Sequence, residues 1–152
     1  MRVGIATDHG GFELKEELVA HLKQAGHEVI DVGAYSLNSG DDYPDFVIPL
    51  ARALTSGKVD RGVAVCGSGV GASVCANKIA GVRAGLIQDH YSAHQGVEHD
   101  NMNILCIGGR VVGAAVARDI VSTFLAAKFS GAERHVRRLG KVASLECQPV
   151  NQ

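Results

Sequence analysis

The sequence predicts an α/β protein, a Rossmann-like three-layer α/β/α sandwich with a five-stranded parallel sheet, and two observations carry that expectation. Five short segments rich in β-branched residues and leucine alternate with segments of helical periodicity, and parallel neighbours need crossovers that cover both faces of the sheet. The chain has 152 residues with no repeat beyond this alternation and no low-complexity linker. That length suits one domain, able to bury roughly 70% of the surface its unfolded form exposes. Residues 1–152 are therefore read as a single domain, with about 130–152 forming a tail helix and extension.

The first strand is "RVGIAT", Arg2–Thr7, followed by the turn Asp8-His9-Gly10-Gly11. In "FELKEELVAHLKQAG" the residues Phe12, Leu14, Leu18, Val19 and Leu22 recur at helical spacing, and Gly26 is a natural stop. "HEVIDVG" is the second strand; "YSLNSGDDYPD" is a loop and "FVIPLARALTSG" a helix, with Pro49 unexpectedly near its first turns. "RGVAVCG" is the third strand, and "VGASVCANKIAG" a helix ending at Gly81. "VRAGLIQ" and "MNILCIGG" are the fourth and fifth strands, separated by a helix over "DHYSAHQGVEHD". "GAAVARDIVSTFLAAKF" is a long amphipathic helix. Beyond a break at Ser130-Gly131, basic residues interleave with Val136, Leu139, Val142 and Leu145, the pattern of a helix that packs on something, another subunit included.

The formal charge is −1, from 15 basic and 16 acidic residues. No overall basic field exists to draw the protein to nucleic acid or an anionic membrane, so any anion site must be local. The N-terminal "MRVGIATDHGG" reaches Asp8 and His9 before an apolar signal-peptide core could form, no apolar run has the length of a membrane span, and the expected location is cytoplasmic. Cys66, Cys75, Cys106 and Cys147 lack CxxC spacing, which predicts reduced thiols and neither a zinc cluster nor a disulfide framework.

Ligands of open α/β sheets bind beyond the carboxyl ends of the strands. At that edge the sequence collects Asp8-His9, Cys66-Gly67-Ser68-Gly69, Gly109-Arg110 and, from the loop before the second helix, Asp41, Asp42 and Tyr43. The run Gly67-Ser68-Gly69-Val70-Gly71-Ala72 fits a loose dinucleotide pattern, with Asp89 as the distant acid, but it follows the third strand and not the first. The alternative is an anion cradle of backbone N–H groups at a helix start, for a phosphate or for an oxyanion formed during reaction. The same setting suits a cysteine acting as base or nucleophile. Cys66 also fits the description of a small core residue at a strand end.

Cys75 and Cys106 fall within a helix and a strand and read as core. His21, His27, His90 and His94 read as surface or helix-end residues, whereas His9 follows a strand and His99 lies in the polar patch "VEHDNMN". No HxH or HxxxH spacing links the candidates, so no metal site is expected. Arg110 offers a fork of donors suited to phosphate, and Arg134 and Arg138 stand at i and i+4 on the tail helix.

Six motifs in order, "ATDHGGFELK", "DYPD", "CGSGVGASVCANK", "HDNMN", "GGRVVG" and "GAERHVRR", together resemble the ribose-5-phosphate isomerase B / galactose-6-phosphate isomerase family, from Arg2 to about Lys141. The resemblance implies a Rossmann-like homodimer, sometimes a dimer of dimers. It also implies inter-subunit active sites and aldose–ketose isomerisation of a sugar phosphate without metal or organic cofactor. It further implies that Cys66 moves a proton between C1 and C2 through a cis-enediolate, with Gly67, Ser68, Gly69, Val70 and Gly71 supplying the amide pocket. His99 of a partner subunit would assist ring opening. Asp8 and Tyr43 would contact sugar oxygens, and His9, Arg110, Arg134 and Arg138 would hold the phosphate.

Family members use either the cysteine or a glutamate on the following helix, and Ala72 at the glutamate position puts this chain with the cysteine type. Ser68 stands where a threonine is common and keeps the catalytic hydroxyl. Asp100 stands where asparagine is common and brings a carboxylate, which only accepts hydrogen bonds, beside the substrate. Ribose 5-phosphate is the leading substrate, with allose, galactose and tetrulose phosphates as alternatives. A phosphate- or nucleotide-binding module without chemistry is the reading of another class.

Overall fold

The computed structural model describes residues 1–146; Cys147 lies outside them. In chain order the elements are β1 (Arg2–Thr7), a 3₁₀ turn (His9–Gly11), α1 (Phe12–Gln24), β2 (Glu28–Asp31), α2 (Pro44–Thr55), β3 (Arg61–Cys66), α3 (Val70–Ala76), β4 (Ala84–Leu86), α4 (His90–Asp100), β5 (Ile104–Gly108), α5 (Ala114–Ala126) and α6 (Glu133–Ala143). The five strands form one parallel sheet in the order β2-β1-β3-β5-β4. The chain leaves β1 for β2 on one side and returns to β3 on the other. That reversal opens a crevice beyond the carboxyl ends of β1 and β3.

Strand alternation divides the core. Val3, Ile5, Val63, Val65, Leu105 and Ile107 face one cluster with the leucines of α1 and the apolar stripes of α4 and α5. Ala6, Ala64, Cys66, Ile104 and Cys106 face the other, with Val47, Leu50 and Ala51 of α2 and Ala72 and Ala76 of α3. Residues on the second face are smaller, so α2 lies close to the sheet. The Cys66 side chain thus points toward the α2–α3 side at the ligand end of β3. Lys15 is fully buried on α1, where its ammonium donates to Asp31 Oδ2 at 2.8 Å and to the Ala34 carbonyl at 2.7 Å, tying the helix to the segment after β2.

Helix boundaries differ from those the sequence predicts: α5 stops at Ala126 and not at Phe129, and α2 and α3 differ for reasons that side chains show. α2 starts at Pro44, where the missing N–H costs nothing, and runs on through Pro49. α3 ends at Ala76 and does not reach Gly81, because Asn77 turns its side chain back into the chain. Its Nδ2 donates to the carbonyls of Ser73 and Ala84 at 3.0 and 2.8 Å, and its Oδ1 accepts from Ala84 N at 2.9 Å. This side chain fastens the turn that feeds β4.

α6 is a helix, as its pattern predicts, and packs on α4 through the buried His135 while Val136 and Val142 stay exposed. Among the described residues no helix is long and apolar enough to cross a membrane.

Candidate active site

The crevice is a cleft of about 480 Å³ lined by Asp8, His9, Gly10, Tyr43, Cys66, Gly67, Ser68, Gly71, Arg110 and Val111. Eight of these ten are residues that the sequence assigns to the site; Gly10 and Val111 are the additions. Most come from the ends of β1, β3 and β5, with Tyr43 from the start of α2 and Gly71 from α3. Asp8 closes β1, is 7% exposed, and accepts from Gly10 N at 2.9 Å, which starts the 3₁₀ turn and holds its carboxylate still. Arg110 is set by the backbone: Gly109 N donates to the Cys66 carbonyl at 2.8 Å and Arg110 N to the Gly67 carbonyl at 3.1 Å. Those two bonds stitch the loop after β5 to the loop after β3, bringing a guanidinium beside the thiol loop.

Cys66 is 5% exposed, and its sulfur accepts from the N–H of Gly69 at 3.0 Å. The loop can fold back this tightly because Gly69 has φ of +81°, a conformation that an L side chain rarely adopts. Two of the five amides that the family resemblance assigns to an oxyanion pocket are therefore already engaged. Gly69 N–H faces the sulfur, and Val70 N–H donates to Ser68 Oγ at 3.3 Å. Neither Gly69 nor Val70 lines the cleft. Cys106 behaves as the sequence predicts for a core thiol; it is fully buried, and desolvation pushes its pKa well above the ordinary range.

His9 donates its backbone N–H to Asp41 Oδ1 at 2.9 Å, and its ring Nδ1 lies 2.7 Å from the same oxygen. That bond raises the His9 pKa above its ordinary value against the opposing effect of desolvation, and the charges of Asp8 and Asp41 add to the rise. Asp8, His9 and Asp41 each bring one potential metal-ligand atom to within 4.8 Å of the others. Sequence spacing does not disclose this group, since Asp41 lies 32 residues from His9.

His99, Asp100, Arg134 and Arg138 are absent from the cleft lining and gather elsewhere. The His99 ring stacks on His135 with centroids 4.1 Å apart, and its Nδ1 lies 2.9 Å from Gln95 Nε2. Ser130 N donates to the Glu98 carbonyl at 3.0 Å, which docks the segment before α6 onto α4. His135 Nδ1 lies 2.7 Å from Ser130 Oγ, and Arg134 Nε donates to His135 Nε2 at 3.1 Å. Because arginine only donates, Nε2 is the lone-pair nitrogen and the proton sits on Nδ1. Burial, followed by the charges of His99, Arg134 and Arg138, pushes the His135 pKa down, with Asp100 opposing. The sequence motifs contain His135, but only folding reveals that it joins Arg134 to His99.

These two groups occupy opposite edges of the sheet. α4 runs antiparallel to the strands, so its end at His99–Asp100 leads through Met102 and Asn103 into the start of β5, whereas Cys66 is in register with Gly108 at the end of β5. Five residues of strand span roughly 13 Å. Asp89, the distant acid of the dinucleotide pattern, caps α4 by accepting from Ser92 N at 2.8 Å, so the helix start accounts for it.

A family model described as Ribose/Galactose Isomerase matches residues 3–142. Ribose-5-phosphate isomerase B of Escherichia coli is 42% identical over 95% of this chain and 96% of its own length. A solved ribose-5-phosphate isomerase B from Clostridium thermocellum superposes with a TM-score of 0.93 at 47% identity, covering 97% of this chain and 98% of that one. The Mycoplasma genitalium structure with bound ribulose-5-phosphate superposes with a TM-score of 0.91 at 38% identity, covering 97% of each chain.

Proposed function

The chain belongs to the Ribose/Galactose Isomerase family and is an aldose–ketose isomerase of sugar phosphates; from that premise we propose that it interconverts ribose 5-phosphate and ribulose 5-phosphate with Cys66 as the base. The observation that carries the choice of base is the Cys66 sulfur, turned into the cleft end of β3 and met by the Gly69 N–H at 3.0 Å. Among the described residues it is the only thiol on the cleft lining.

In the forward direction Cys66 takes the proton from C2 of the open-chain aldose. The released pair forms the C1=C2 bond of a cis-enediolate, and charge develops on O1. Amides of the glycine loop and the Ser68 hydroxyl answer that charge. The proton returns to C1, the O2 proton passes to O1, and C2 becomes the carbonyl. Atoms and charge balance with no metal or organic cofactor. Asp8 and Tyr43 orient sugar hydroxyls, and His9 and Arg110 meet the phosphate.

His99, Asp100, Arg134 and Arg138 complete the reading from a partner subunit, as one homodimer or as a pair of dimers. Their separation from Cys66 by the height of the sheet supports this, as do the exposed Val70, Val74, Val136 and Val142. His99 would assist ring opening, and Asp100 would accept from a sugar hydroxyl. A phosphorylated sugar does not cross a bilayer unaided, which favours work in the cytoplasm.

The test is hydrogen exchange and turnover with a panel of pentose, hexose and tetrulose phosphates. The expected result is solvent deuterium at C1 or C2 and the highest kcat/KM with ribose 5-phosphate. A higher kcat/KM with allose 6-phosphate, galactose 6-phosphate or a tetrulose phosphate would overturn the choice of sugar. Absence of exchange with every sugar phosphate would overturn the proton-transfer mechanism.

A further inference from the structure

The isomerase chemistry leaves Asp41 without a task, although this residue is bonded to His9 of the cleft lining and its side chain is only 9% exposed. One oxygen, Oδ1, receives both the backbone N–H and the ring Nδ1 of His9, at 2.9 and 2.7 Å. The other, Oδ2, is buried without a hydrogen-bond partner among the described residues. A carboxylate half-satisfied in this way calls for an opposite charge close by, since burying one unpaired is costly. The loop holds it there by bending on itself: Asp41 N donates to the Asn38 carbonyl at 3.1 Å and Gly40 N to Asn38 Oδ1 at 3.1 Å.

We propose that Asp41 is the positioning residue of the phosphate pole, clamping the His9 ring with Nε2–H toward the cleft and supplying the counter-charge with which His9 meets a phosphate dianion as a cation. This rests on the reading of His9 as a phosphate ligand. With Nδ1 committed to a carboxylate, Nε2 is the ring nitrogen left to the cleft that His9 lines. The charged and titratable groups facing that cleft are Asp8 from the end of β1, Tyr43 from the start of α2, Cys66 from β3 and Arg110 from beyond β5. Asp41 has the largest effect on the His9 cation because it makes direct hydrogen bonds to the residue, and the charge of Asp8 reinforces it. Asparagine at position 41 keeps an oxygen for both bonds and removes only the charge, so the cation should be lost at lower pH.

The experiment compares wild type, Asp41→Asn and Asp41→Glu. His9 titration is followed by NMR of the free protein, inorganic phosphate binding by calorimetry, and KM and kcat from pH 6 to 8.5. In Asp41→Asn the His9 midpoint should fall by about one unit, which is of the size neighbouring charges produce. Phosphate affinity should weaken and KM rise about five- to tenfold near pH 8 but little near pH 6. The loss should fall on KM, and Asp41→Glu should move both profiles back toward wild type. An unmoved midpoint alongside pH-dependent phosphate binding overturns the role of Asp41 alone. A midpoint that falls while phosphate binding is unaltered at every pH overturns the phosphate role of His9 instead.

Discussion

The backbone N–H of Gly69 points at the sulfur of Cys66 from 3.0 Å, so the loop that supplies the proposed base also holds it in place. Serine at position 66 can receive the same N–H but cannot ionise near neutral pH, and alanine offers no proton acceptor. Cys66→Ser and Cys66→Ala should each lower kcat by about 10²–10⁴, the usual range for losing a proton-transfer group. KM should stay within roughly threefold, because the phosphate and hydroxyl contacts remain. Steady-state kinetics on ribose 5-phosphate checks this; turnover near wild type would remove Cys66 from the mechanism.

Gly71 and Tyr43 make a second tight pairing. A Cβ added at Gly71 would lie 2.9 Å from the Tyr43 ring. Gly71→Ala gains up to about 1 kcal/mol of helix propensity in α3. Against this, overpacking of a filled contact costs about 1–3 kcal/mol. The clash should win, destabilising the fold by about 1 kcal/mol and raising KM as Tyr43 swings away from the sugar. Denaturant unfolding with kinetics tests both halves; an unchanged KM would take Tyr43 out of substrate contact.

Much of this was legible in the chain because the physical signals are local. β1 matches its sequence bounds and β3 stops one residue short of them at Cys66, since alternating apolar residues fix which face each side chain takes, and the residues that must stand at the ligand edge follow from where each strand stops. The boundary of α3 was not legible: the helical pattern continues to Ile79, and only the distant partner Ala84 turns Asn77 into a stop. The Asp41–His9 pairing was invisible for the same reason, being made across 32 residues by a loop without periodicity. His135 carries a basic-helix signature in sequence, and its burial against His99 depends on how α6 settles on α4.

That burial has a pH consequence. The folded state lowers the His135 pKa, mainly through burial, so below the unfolded value of about 6.5 the unfolded chain binds the proton more readily. His135 therefore contributes stability that is present above about pH 6.5 and lost as pH falls through its depressed folded pKa. His27, lowered by burial and the nearby N-terminal amine, acts in the same direction. The melting temperature should drop between pH 7.5 and 5.5, and His135→Asn should show a smaller drop. Parallel pH profiles for variant and wild type would assign the loss to other groups.

The strictest test concerns the two half-sites. Within one chain His99 precedes β5 while Cys66 lies level with its far end, about 13 Å of strand away. No side-chain movement brings the imidazole to the thiol across a packed sheet, so the proposed site, with both Cys66 and His99 in it, calls for a second copy that presents α4 and α6 to the first copy's cleft. Cys66→Ala and His99→Ala should each be nearly inactive alone. Co-expressed with different tags, they should form mixed dimers in which one site carries both defects and the other carries neither. Random pairing makes half the dimers mixed, each with one intact site of two, so about a quarter of wild-type activity should return. Recovery concentrated in the doubly tagged fraction would tie Cys66 and His99 to different chains, whereas no recovery in verified mixed dimers would mean that each chain builds its site alone.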